Sequence, residues 1–143
     1  MLSMRPSAHF GFFLLSICIF FSASSTTQHM NAPDAPCQGA GTNADITQCF
    51  IDAWHAADKK LNQSYSRVQE VLGPDEQKDL QSAQRLWLKF RDANCAAERH
   101  LYEGGSAAQM VYAACMEADT RGRTAEIEKM YGWRMVKHDK RFD

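Results

Sequence analysis

The chain lacks most of the signatures that would mark an enzyme. It holds no GxSxG, HExxH, P-loop or dinucleotide fingerprint. It has no CxxC pair, and His55, His100 and His138 stand without a partner at metal or triad spacing. These absences argue against catalysis, against a zinc site and against any cofactor. Paired carboxylates do occur, as in Asp75-Glu76, but at a helix start they are expected for the dipole. No basic patch suggests nucleic acid, and the formal net charge is only −1. No segment alternates with period two, so no strand is expected. There is no internal repeat.

The one long apolar run, Phe10 to Phe21, is about 12 residues, short of the roughly 20 needed to span a bilayer. It follows Arg5 and precedes the small residues Ser22 to Ser25, the order of an export signal. Residues 1–24 therefore read as a signal peptide and the protein as periplasmic or secreted, with no stable membrane insertion after cleavage. A retained anchor is the competing reading. A lipidated Cys18 is disfavoured by bulky Ile17 and by the apolar residues that follow the cysteine. Loss of the leader removes Arg5 and moves the charge from −1 to −2.

Cleavage also removes Cys18, leaving Cys37, Cys49, Cys95 and Cys115. An even number in an exported chain reads as two disulfides. Gln28 to Pro36 has no periodicity, so residues 25–41 read as a poorly ordered linker carrying Cys37.

Helical periodicity takes over near Thr42, which stands three residues before Asp45 as in a capping box. Ile46, Phe50, Ala53, Ala57, Leu61, Tyr65, Val68 and Leu72 then recur at three- and four-residue steps. Gly73-Pro74 breaks the pattern, with Gly73 expected as a left-handed cap and Pro74 opening the next helix. The second helix should run from about Asp75 to Tyr102. After Glu103 to Ser106, a third should run to about Tyr131, capped at its start by Ser106 with Gln109 and at its end by Gly132. The helical domain is thus 42–132, followed by a basic tail, 133–143. Trp54 and Trp87 are expected to pack inside, and Trp133 to be exposed.

The second helix holds the most informative stretch, "AQRLWLKFRDANC", Ala83 to Cys95. Ala83, Leu86, Trp87, Phe90, Ala97 and Leu101 fall on one stripe, and Gln84, Leu88, Arg91 and Cys95 on another. Two stripes imply two neighbours, which places this helix in the middle of an elongated antiparallel bundle of three long helices. Cys95 and Cys115 each lie ten residues from Gly105, on opposite sides of the turn, so a hairpin brings them level. That register favours Cys95–Cys115 and leaves Cys37–Cys49. The competing Cys49–Cys95 pair is about one turn out of level.

At these residues a resemblance emerges. "ADKKLNQSY", "AQRLWLKFRDANC", "YEGGS" and "CMEADTRGRTAEI" resemble the LprI-like lysozyme-inhibitor domain, over about Cys37 to Ile127. Asp119 departs from the pattern, since the family has an apolar residue before Thr120. This is expected to alter local packing of the third helix. The resemblance implies an exported, α-helical bacterial protein and, from members that inhibit lysozyme, a muramidase as partner. It brings no binding residues with it. The reading is therefore an exported helical binding protein that blocks a muramidase by protein–protein contact. The alternative is a periplasmic helical interaction protein, an envelope stress factor or immunity-type binder, without lysozyme inhibition.

Two groups are candidate sites. Arg91 shares its stripe with Cys95, and a buried guanidinium needs acceptors. Asp58 and Asn62 on the first helix and Thr120 on the third are expected to supply them in a structural network, with a ligand-binding arginine as the sharper alternative. Tyr102, Glu103, Gly104, Gly105 and Ser106 form the other, an exposed loop whose Glu103 suits a cationic cleft. Its plain reading is a glycine-closed hairpin.

Overall fold

The computed structural model describes residues 29–139. The expected leader, 1–24, and the end of the expected tail, 140–143, lie outside them. A one-turn 3₁₀ helix, His29–Asn31, precedes α1, Asn43–Val71, α2, Pro74–His100, and α3, Ala108–Asp139. No strand occurs among the described residues. At about 1.5 Å per residue, α1 is about 43 Å long, so the bundle is elongated. No helix among the described residues is long and apolar enough to cross a membrane.

Local chemistry sets the helix ends. Thr42 and Asp45 form the reciprocal cap of α1: the Thr42 N–H donates to Asp45 Oδ2 at 2.8 Å and the Asp45 N–H to Thr42 Oγ1 at 3.3 Å. The Thr42 N–H and, second, the Thr42 hydroxyl, which donates to Asp45 Oδ2 at 2.7 Å, hold the Asp45 carboxyl below its ordinary pKa. The α1–α2 turn corrects the expected left-handed Gly73. Its φ is −72°, and it serves as the N-cap of α2. The carbonyls that a left-handed cap would have satisfied are met instead by a side chain. Gln77 Nε2 donates to Gln69 O at 2.9 Å and to Leu72 O at 3.0 Å. At the other turn Gly104 has φ +82°. The Ala107 carbonyl takes the first bond of α3, from Val111, so Ser106 precedes the helix and does not cap it. α3 also passes through Gly132 to Asp139, where a stop and a separate tail were expected. Gly132 is tolerated because an isolated glycine weakens a helix without breaking it.

The order of the helices is the main correction. α3, not α2, is central: it packs along α1 and along α2, while α1 and α2 scarcely touch. α1 and α3 run in the same direction, with Ser64 level with Glu128. Phe50, Leu61 and Val68 of α1 are buried with Val111, Ala113, Ala114, Met116 and Ile127 of α3. Small Ala113 and Ala114 let the backbones approach. α2 buries only Leu80, Arg91 and Cys95. Its Arg91 and Cys95 stripe faces α3. Of its broader stripe Trp87 packs inward, while Leu86 is 67% exposed among the described residues, Phe90 61% and Leu101 80%.

Residues 29–41 are not a loose linker either. The 3₁₀ turn packs on α3, and Ala35 and Cys37 are buried against Phe50, Met110 and Ala113. Asp34 accepts from Arg121 Nη1 at 2.7 Å, a bond that lowers its pKa. His29 Nδ1 lies 2.9 Å from Glu98 Oε2. The disulfides are Cys37–Cys49 and Cys95–Cys115. Cys95 and Cys115 are wholly buried, whereas Cys49 is partly exposed.

That contrast fixes an order of reduction. Under mild thiol reductant at neutral pH, Cys37–Cys49 should open first. Cys95–Cys115 should open only as the bundle unfolds, and its loss should cost about 3 kcal/mol from the loop it closes. Timed alkylation with mass spectrometry gives the order, and urea unfolding of the doubly substituted Cys95→Ala, Cys115→Ala protein gives the magnitude. Simultaneous reduction of both bonds would contradict the burial.

Candidate functional site

The Arg91 site is built by all three helices. Arg91 is 7% exposed. Its Nη1 donates to Thr120 Oγ1 of α3 at 3.1 Å and to Asp58 Oδ1 of α1 at 3.4 Å. Its Nε and Nη2 donate to Asp92 Oδ1 at 3.0 and 2.9 Å. Asn62 does not reach the guanidinium. It donates to Asp58 Oδ2 at 3.5 Å, a full turn along α1. Asp92, on neither apolar stripe, folds back to accept twice from Arg91.

A second buried arginine was missed in the sequence. Arg123 of α3 donates to Gln84 Oε1 of α2 at 3.1 Å and to Glu126 Oε2 at 2.6 Å. Arg91 and Arg123 both lie over the Trp87 ring, at 5.3 and 5.7 Å from its centroid. Trp87 is thus flanked by two guanidiniums, which its quadrupole attracts. The signal was in the spacing: once Cys95 is level with Cys115, Gln84 falls near the level of Arg123. A third polar link closes the row. Arg134 grips Glu76 through Nη1 at 2.6 Å and Nη2 at 2.9 Å. That fork, with the Gly73 N–H, depresses the Glu76 pKa. Bidentate geometry gives such a pair its strength and direction.

Around the Cys95–Cys115 bond, Asp119 Oδ2 lies 3.7 Å from Cys95 Sγ and 4.0 Å from Cys115 Sγ. A disulfide sulfur has no proton to donate, so these are packing contacts. Asn94 Nδ2 satisfies the carboxylate at 3.4 Å. The residue that departs from the family pattern is therefore accommodated beside the bond without breaking α3. His29, Glu98 and Cys115 also converge, but with the sulfur in a disulfide no thiolate is present to bind a metal.

The Tyr102–Ser106 loop lies beyond that disulfide, at one end of the molecule. Glu103, Gly104, Gly105 and Ser106 are exposed and Tyr102 is partly buried. Glu103 Oε2 lies 2.9 Å from His100 Nδ1, with both side chains about three-quarters exposed. The Gly105 N–H donates to Tyr102 O at 3.0 Å. A recess of about 330 Å³ lined by Ala96, Arg99, His100, Glu103, Gly104 and Ala108 opens beside it. The two candidate groups are thus separate: the Arg91 guanidinium meets acceptors within the chain, whereas the loop offers its groups to solvent.

Comparison with known proteins gives two matches. The family described as "Lysozyme inhibitor LprI" matches residues 34–127. An uncharacterized protein of Rhizobium meliloti is 27% identical over 129 residues, covering 81% of this chain and 91% of that protein. No solved structure matches.

The geometry makes Arg91 a register pin. Arg91→Met should destabilise the protein by about 2–4 kcal/mol, because Thr120 and Asp58 lose a buried donor. Urea unfolding measures it. A loss under about 0.5 kcal/mol, the range of ordinary surface changes, would show that the guanidinium holds nothing.

Proposed function

We propose that this chain, which belongs to the LprI lysozyme-inhibitor family, is an exported binding protein that inhibits a muramidase by protein–protein contact. The observation that carries the reading is the family match over residues 34–127. The architecture is consistent with it. Among the described residues a disulfide and directional ion pairs hold α2 to the rest of the bundle, which suits a rigid binder more than a reaction centre.

The contact is made by the loop Tyr102–Ser106. It projects from a turn whose two sides the Cys95–Cys115 bond already ties, so its sequence is free to serve recognition. Gly104, at φ +82°, sets the shape of the tip. Glu103 presents a carboxylate that is 73% exposed, suited to a cationic group in an enzyme cleft. A loop held before binding loses little entropy on docking.

The test is titration of the protein into peptidoglycan-lysis assays with lysozymes of several types. At least one should be inhibited. Glu103→Lys should fold normally, abolish that inhibition and remove the salt dependence of association. A well-folded Glu103→Lys protein that inhibits as before would take the loop out of the contact. No inhibition of any lysozyme at large molar excess would sink the function and favour an interaction protein of another kind.

A further inference from the structure

Apart from Trp87, the broad stripe of α2 has no partner among the described residues. Ala83, Leu86, Phe90, Ala93, Ala97 and Leu101 are all exposed. The first five recur at alternating three- and four-residue steps, the 3.5-residue period that keeps a seam straight along a partner helix. A row of this kind is more than singly scattered apolar residues. From this seam we infer that the exposed face of α2 pairs antiparallel with α2 of a second copy of the chain.

The seam is self-complementary. In a two-fold pair, a residue that contacts another is contacted by it in return. Place the axis between Arg91 and Asp92. Phe90 of each copy then lies level with Ala93 of the other, and Leu86 with Ala97. Every central layer sets a large side chain on a small one. A parallel pair would stack Phe90 on Phe90 and leave the alanine layers hollow. The helix dipoles oppose, which favours the antiparallel pair. Asp79, on the same stripe, falls one turn from His100 of the other copy, which its own Glu103 already meets at 2.9 Å. A parallel pair would set Asp79 on Asp79.

The size of the surface sets the strength. From Asp79 to Leu101 the seam is about 33 Å long and, for a helix about 10 Å across, has a footprint of about 330 Å² on each copy, about 660 Å² over both. That is below the size of a standard specific interface, so the dimer is weak, reversible and not obligate. The two Tyr102–Ser106 loops would lie at opposite ends of it, each beside Asp79 of the other copy. The inference does not rest on muramidase inhibition.

Sedimentation velocity on the full protein, recovered after export, tests it over a dilution series from low to high micromolar. The dimer fraction should rise with concentration. Phe90→Glu should remain monomeric throughout with an unchanged helical spectrum and melting temperature, since that side chain is 61% exposed. Leu86→Lys provides the same reading should Phe90→Glu fold poorly. Ala93→Phe should also give monomer by opposing two rings. Phe90→Ala combined with Ala93→Phe exchanges large for small across the axis and should restore the dimer. A wild-type monomer at every concentration, or a dimer indifferent to both Phe90→Glu and Leu86→Lys, would overturn the proposal. A swap variant that stays monomeric would overturn the antiparallel register. Burial of the seam by an added lysozyme, with no dimer, would assign the face to the enzyme and likewise overturn it.

Discussion

The attachment of α2 depends on one buried guanidinium. Arg91 is the point where all three helices meet, through Asp58 of α1, its own neighbour Asp92 and Thr120 of α3. A charged group there is costly to desolvate, and the cost is offset only because its donors are met and its flat face lies over Trp87. Apolar burial alone would not place α2, for Leu80 is its only fully buried aliphatic residue. Its position is set by a row of directional contacts: Glu76 to Arg134, Gln84 to Arg123, Arg91 to Thr120, and the Cys95–Cys115 bond. Each has a narrow geometry, so together they fix register where a hydrophobic seam would tolerate slip.

The α1–α3 pair is made differently. Alanines allow close approach, and Phe50, Leu61, Val68 and Ile127 fill the interface. The molecule thus has an apolar two-helix core with a third helix pinned to it by polar and covalent links. This division explains why α2 retains an apolar face to spare. It also explains why the loop at its end can be exposed without loosening the fold. The disulfide at that end and the Glu76–Arg134 fork at the other hold α2 at both extremities.

The three helices, the Thr42 cap and the disulfide pairing were legible in the sequence, because each rests on short-range periodicity or on counting residues from a turn. The helix order was not. An amphipathic stripe shows that a face is apolar, not that the same chain covers it, and the Leu86–Phe90 stripe made α2 look central. Conversely α3 looked thin, since its inner face carries Glu117, Thr120, Arg123 and Thr124, all buried. Thr120 and Arg123 become interior by bonding to α2, Thr124 by bonding back to the Thr120 carbonyl and Glu117 by accepting from Arg121, which composition does not reveal. The same reason hid Arg123 and Trp87 from the candidate site, while Arg91 was visible through its spacing from Cys95. Gly73 and Gly132 were misread for a simpler reason. Glycine permits a left-handed cap, and here Gln77 and an uninterrupted helix made one unnecessary.

The central claim is that polar pinning through Arg91, rather than apolar burial, places α2. Native-state amide hydrogen exchange on wild type and Arg91→Met compares the helices directly. The substitution should strip protection from α2 between Leu80 and Cys95 while the α1–α3 amides near Leu61 and Ile127 keep most of theirs. Equal loss along all three helices, or an unchanged α2, would contradict it.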